Sequence, residues 1–277
     1  MYYCSLGAYY STIYFIGFSS FIIFGDLLIN HDDKIHKFKY PFWLDFPIYI
    51  NLPLLILFLM MVVFVFSKSD SNFLSLFFFN YLNIDLLSFR ESINLIDKIS
   101  LVALSSLFIG IMGTVPGHEL SHRINNKYDL FIGSWLLSLS WDCAFAIEHV
   151  YGHHKNVALP KDPATARRGD NIYKFIINAI INEQRDAWQI EKKRLRSKSL
   201  HVLGINNKLI KGYMKSASIS ILSYLIGGFA GLLIFLMCAF IAKALLEVIN
   251  FTEHYGLIRV EGEKVMPRHS WNSNSVM

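Results

Sequence analysis

Five histidines, His118, His122, His149, His153 and His154, fall within one short stretch of this 277-residue chain, and a sixth, His254, follows a long apolar run. They form three words: H-E-L-S-H from residue 118, E-H-V-Y-G-H-H from 148 and E-H-Y-G from 253. Neutral imidazole is a nitrogen ligand suited to iron, copper, zinc and nickel, so dense histidines beside apolar segments are first a metal-binding expectation. Residues four apart project from one face of a helix. His118 and His122 can therefore share an ion, and His149 and His153 repeat that spacing. His154 is turned by about 100° from its neighbour, which lets it reach a second ion at a dinuclear centre. Glu119, Glu148 and Glu253 each adjoin one of these histidines, and either orient an imidazole N–H from behind or bind metal directly. His31, His36 and His201 lie in polar surroundings and read as ordinary surface rings; His269 has no clear assignment.

The segments that must carry these words are those of a membrane protein. The chain is 53% hydrophobic and 17% charged, with a mean hydropathy of +0.38, which excludes an ordinary soluble globule. The three cysteines, Cys4, Cys143 and Cys238, make no C-x-x-C pair, so a metal has to rest on nitrogen and oxygen ligands. Apolar runs predict spans at 8–30, 46–67, 97–117, 216–232 and 233–250 in a single all-α integral membrane domain, each near the roughly 20 residues a bilayer needs. The last two divide a 35-residue apolar run, 216–250, with a turn at Gly227-Gly228 and Gly231. Residues 73–89 read as interfacial, and 130–147 as re-entrant if all histidine words are to share one membrane face.

Residues 155–215 hold 14 of the 26 Lys and Arg, which places that loop in the cytoplasm. Nucleic acid finds no support, because the basic residues follow the topology. Counting crossings backwards puts the N-terminus outside, which predicts a further helix ahead of residue 8. The helix ending at the first word shows Ser106, Gly110, Gly113 and Gly117 on one side, either a slot for an alkyl chain or a close helix–helix contact. Residues 171–198 mix apolar and polar positions and turn basic at Lys192, Lys193, Arg194 and Arg196. That face suits an acidic protein partner or anionic lipid head groups equally.

Taken alone, H118-E-L-S-H122 is also the zinc-peptidase pattern, with Glu119 as general base. That reading leaves the other two words unexplained and stands as the alternative. The words HELSHR, EHVYGHH, DPATARRGDNIYKF, EHYGL and HSWNSN, spread from roughly Gly17 to Ser275, resemble those of the membrane alkane 1-monooxygenases, within the fatty acid desaturase-like, histidine-box superfamily. The resemblance implies a helical bundle with a cytoplasmic di-iron site in the bacterial inner membrane. It also implies two non-haem irons held by His118, His122, His149, His153, His154 and His254, with molecular oxygen as oxidant. Rubredoxin and a rubredoxin reductase would supply electrons, and the product would be the terminal alcohol of an alkane or related alkyl substrate. An acyl desaturase, which uses similar boxes, is a second alternative. Members of the family continue past the HSWN segment into a box of the form H-x-x-H-H. The resemblance therefore implies three more ligands beyond Met277, and a chain that holds its irons incompletely without them.

Overall fold

The computed structural model describes residues 9–28, 39, 42–69 and 73–271. Among them there is no strand. Helices α1 (Tyr10–Leu28), α2 (Phe42–Val65), α3 (Phe73–Leu82) and α4 (Leu86–Ser92) are followed by α5 (Leu95–His122), which contains a π-helical turn at Ile109–Thr114. Then come α6 (Lys127–Ser138), α7 (145–156), α8 (Ile172–Ser197) and α9 (Lys208–His254). α1, α2, α5 and α9 are long and apolar enough to cross a bilayer, as expected of a multi-pass membrane protein. α6, with 12 residues, extends about 18 Å, too short for an apolar core of about 30 Å.

The described residues gather into two compact units, one drawn from 9–108 and 219–238, the other from 109–218 and 239–271. In the first, Asp97 caps α1 from outside. Its carboxylate accepts from the backbone N–H groups of Tyr9 and Thr12 and from the Thr12 hydroxyl, at 2.8–3.1 Å. These are donors that a helix start leaves without an intrahelical partner. Phe108 receives Tyr14, Phe18 and Phe58 around its ring. Val62, Val65, Ile93 and Leu101 form a core cluster joined by Ile234.

The apolar run of α9 breaks at Gly228, whose φ of 62° and ψ of −155° lie outside the helix. A Cβ on Gly231 would stand 2.9 Å from the Ser223 carbonyl, so the chain turns back on itself here. The two arms thus divide at residue 228 rather than 232, and the first begins at Lys208, where the Asn207 side chain accepts from the N–H groups of Leu209 and Ile210. On Gly227 a Cβ would meet both Cγ1 and the carbonyl oxygen of Val63 at 2.7 Å. A backbone carbonyl cannot swing aside as a side chain can. Gly227→Val is expected to destabilise the protein by about 1–3 kcal/mol, read as a lower Tm in detergent. Gly17→Ala, inside α1 with nothing within 4 Å of its Cβ, should leave Tm equal or slightly higher.

The second unit carries every histidine word. Gly117 and Gly133 let α5 and α6 approach closely: a Cβ on Gly117 would meet Leu137 Cγ at 2.9 Å, and one on Gly133 would meet Leu120 Cβ at 2.9 Å. At Gly117 the small-residue stripe therefore serves helix packing, whereas Gly110 faces open space. α8 buries Phe175, Ala179, Glu183, Ala187, Glu191 and Leu195, one residue every four along a single face. Ala187 joins Ala144, Ile147 and Leu209 in a cluster that seats α8 against α7. Arg259 ties the segment after α9 to the end of α7: its guanidinium donates to the Val157 carbonyl at 2.7 Å and the Lys155 carbonyl at 2.6 Å.

Candidate metal centre

The histidine words lie on α5, on α7 and at the end of α9. His118 and His122 are one α-helical turn apart, with ring centroids at 4.8 Å. In α7 the residues His149–His153 form a π-helical turn, and the His154 N–H bonds to the His149 carbonyl five residues back. A π turn places i and i+5 on one face, where an α turn would place i and i+4. His149 is consequently paired with His154, the two Nε2 atoms 2.9 Å apart. This regroups the rings. The spacing had suggested His149 with His153 on one ion and His154 on another; instead His118, His122, His149 and His154 converge, with one donor nitrogen from each lying within 4.8 Å of all the others.

Two nitrogens bound at about 2.1 Å to one ion lie about 3 Å apart when adjacent and about 4.2 Å apart when opposite. The His149–His154 pair meets the first spacing, and no pair in the group exceeds the second by more than a few tenths of an ångström, a set that small ring movements can close on one ion. The donor set is all imidazole. Burial, then the neighbouring imidazoles, hold His149 far below the ordinary imidazole value, and burial holds His154 down as well. Rings so biased are neutral at physiological pH, the form that binds metal.

His153 stacks on His149, ring centroids 5.2 Å apart, but its donor nitrogen falls outside the converging group. Its ring lies 4.9 Å from that of His254, and the His254 Nδ1 donates to the His269 carbonyl at 3.1 Å, which leaves Nε2 as its free ligand atom. His269 is buried, and its Nδ1 accepts from the Met266 N–H at 3.0 Å, so it supports His254 by its backbone. The His153 Nδ1 meets Asp162 Oδ2 at 3.0 Å. Burial pulls His153 down, but this hydrogen bond and the charge behind it hold its pKa above the usual value. Asp162 is itself fixed by the Thr165 hydroxyl at 2.6 Å and the Ala164 N–H at 3.3 Å. His201 is exposed in its loop. His31 and His36 lie outside the described residues.

The three glutamates beside the words behave differently from one another. Glu119 is exposed and pairs with Arg123 at 3.3 Å. Glu253 lies half-exposed, 3.8 Å from His254 Nε2. Glu148 is buried against Gly152, where a Cβ would stand 2.5 Å from its Oε1. That oxygen has no hydrogen-bond partner among the described residues, and burial pushes the carboxyl up to about 8. Asp162 and Phe145 were not singled out from sequence. Phe145 stacks on His149 (4.5 Å, 13°) and meets His118 edge-on at 5.3 Å. The signal for Asp162 in the sequence is an acid in the DPAT segment eight residues after His154.

The family model for fatty acid desaturases matches residues 99–277. The chain belongs to the fatty acid desaturase family. It is 39% identical over 173 residues to alkane 1-monooxygenase 1 of Pseudomonas aeruginosa, covering 61% of this chain and 45% of the relative. To alkane 1-monooxygenase 2 of Alcanivorax borkumensis it is 36% identical over 188 residues, 66% and 49% of the two chains. The xylene/toluene monooxygenase hydroxylase component of Pseudomonas putida is 31% identical over 170 residues, 61% and 46%. The chain spans about half the length of the curated relatives it matches. All three desaturase-family words fall inside the matched region.

Proposed function

We propose that this desaturase-family protein is a membrane non-haem di-iron monooxygenase that hydroxylates the terminal carbon of an alkane or related alkyl chain. The observation that carries the reading is the convergence of His118, His122, His149 and His154 in a chain whose curated relatives are named alkane 1-monooxygenases. His153 and His254 form a neighbouring pair, so the six rings offer two adjacent positions rather than one. When bound, two irons supply the redox chemistry by which molecular oxygen is turned against an unactivated C–H bond.

The chain's own residues have separate tasks in this account. His118, His122, His149 and His154 hold one ion, and His153 and His254 contribute to the second. Asp162 fixes the His153 ring, the His269 carbonyl fixes His254, and Phe145 shields His149 and His118 from water. The apolar spans suit a substrate that partitions into lipid. Rubredoxin, reduced by its reductase, is the proposed electron donor. The exposed Lys192, Lys193, Arg196 and Lys198 at the end of α8 suit an acidic protein, and their positive charge supports a cytoplasmic position for that face and the histidine words in a bacterial inner membrane.

The peptidase alternative needs Glu119 at the metal as general base, and its pairing with Arg123 at the surface speaks against it. The desaturase alternative differs in product. Purified protein loaded with ferrous iron, reduced rubredoxin and oxygen should convert a medium-chain alkane into the 1-alcohol. Zinc retained in place of iron, or an alkene as product, would overturn the reading.

A further inference from the structure

The most heavily charged interior site in the second unit lies beside the histidines and has no part in the account above. Lys243, on the second arm of α9, is buried, and its Nζ stands 2.9 Å from Asp142 Oδ2, 2.7 Å from Glu183 Oε2 and 2.7 Å from Glu247 Oε1. The three acids come from three places: the turn before α7, the buried face of α8, and one turn further along α9. All three are at most 4% exposed. A single ammonium facing three carboxylates leaves two negative charges in excess when all are ionised. A buried ion pair that serves only packing needs one acid per base, because every further charge adds a desolvation cost.

The excess is visible in the hydrogen bonds. Lys243 donates a well-directed bond to Glu183 alone, while Asp142 Oδ2 and Glu247 Oε1 accept none. The Asn250 amide donates to the other oxygen of Glu247 at 3.1 Å. Burial pushes the carboxyls of Asp142 and Glu183 up, towards the uncharged form, and the Lys243 ammonium opposes that by favouring their ionised form. Nothing on the three elements balances the surplus: the only buried cation at the cluster among the described residues is Lys243 itself.

A cation belongs nearby. The converging donors are neutral imidazoles with no carboxylate among them, so an ion held there keeps its full charge in a poorly polar interior. Phe145 connects the two places. Lys243 Nζ lies 5.9 Å from the centre of its ring, and the same ring stacks on His149.

We infer that Asp142, Glu183 and Glu247, organised by Lys243, are the buried counter-charge for the ions that the histidines hold. The cluster acts through space and touches neither metal nor substrate. It strengthens metal binding and favours the more oxidised ion, because the surplus of negative charge stabilises each added positive charge. This inference rests on the metal-binding reading of the histidines.

The test uses the full chain in detergent, titrated with ferrous iron without oxygen and with zinc as a redox-silent probe. Glu183→Gln and Asp142→Asn keep shape and hydrogen bonding while each removes one negative charge. Each should weaken binding of both ions by about tenfold and raise the iron midpoint potential, with the double variant weaker still. Glu261→Gln, which removes an exposed charge paired with Lys161, should change neither quantity. Glu183→Asp, which restores the charge, should recover most of the affinity. Variants that fold and bind both ions as tightly as the parent, at an unchanged potential, would overturn the counter-charge. A parent protein that binds neither ion would overturn the metal reading instead.

Discussion

Replacing His149 by alanine is expected to weaken iron binding by more than about 100-fold and to abolish turnover. His149 occupies the middle of the four-ring group. Its ring lies 4.3 Å from His118, 5.3 Å from His122 and 4.5 Å from His154, and Phe145 covers it. Truncation removes a donor and leaves a space beside Phe145 that water can enter. Metal content after desalting, measured beside the far-ultraviolet circular dichroism of the same sample, separates ligand loss from unfolding. Iron retained at the parental level by folded His149→Ala protein would remove this ring from the set.

Asp162 should produce the second large effect, although it is not proposed as a ligand. Its carboxylate is buried and satisfies three groups at once, His153 Nδ1, the Thr165 hydroxyl and the Ala164 N–H. Asp162→Ala breaks a buried pair and should cost about 3–5 kcal/mol in chemical denaturation. Asp162→Asn is the more informative change. It keeps the size and can still accept from Thr165, but its amide supplies no charge to hold the His153 Nδ1 proton in place. Binding of iron should weaken by about 10–100-fold while the fold survives. An asparagine variant with unchanged affinity would mean that the His153 ring needs no such partner.

The π-helical turn at His149–His153 marks one limit of what was legible in the sequence. The four-residue spacing of His118 and His122 was readable because Val115–His122 is an ordinary α-helix. The same spacing at His149 and His153 brings those rings to 5.2 Å, but a π turn of one extra residue carries no compositional mark and also rotates His154 into His149's company. The apolar run of α9 announced its break through Gly227 and Gly228, for a positive φ at a chain reversal suits glycine. Asp142 and Lys243 were a different matter. Each is a single charge inside an apolar stretch, and only the fold, by bringing Glu183 and Glu247 to the same point, shows that they belong together. α8 read as a surface helix from its basic end. Its buried stripe includes Glu183 and Glu191, which hydropathy alone counts as solvent-facing positions. Glu191 is held there by Arg194 at 2.6 Å and by the N–H of Lys208 at 2.7 Å.

Iron K-edge X-ray absorption of the purified, iron-loaded chain addresses the histidine group without relying on turnover. Imidazole ligation predicts a nitrogen shell near 2.1 Å, outer-shell scattering from imidazole carbons, and no sulfur. The signal should collapse in protein carrying alanine at His118, His122, His149 and His154 together. An unchanged spectrum in that quadruple variant, or a shell dominated by carboxylate oxygen or sulfur in the parent, would contradict the proposal that these rings hold the metal.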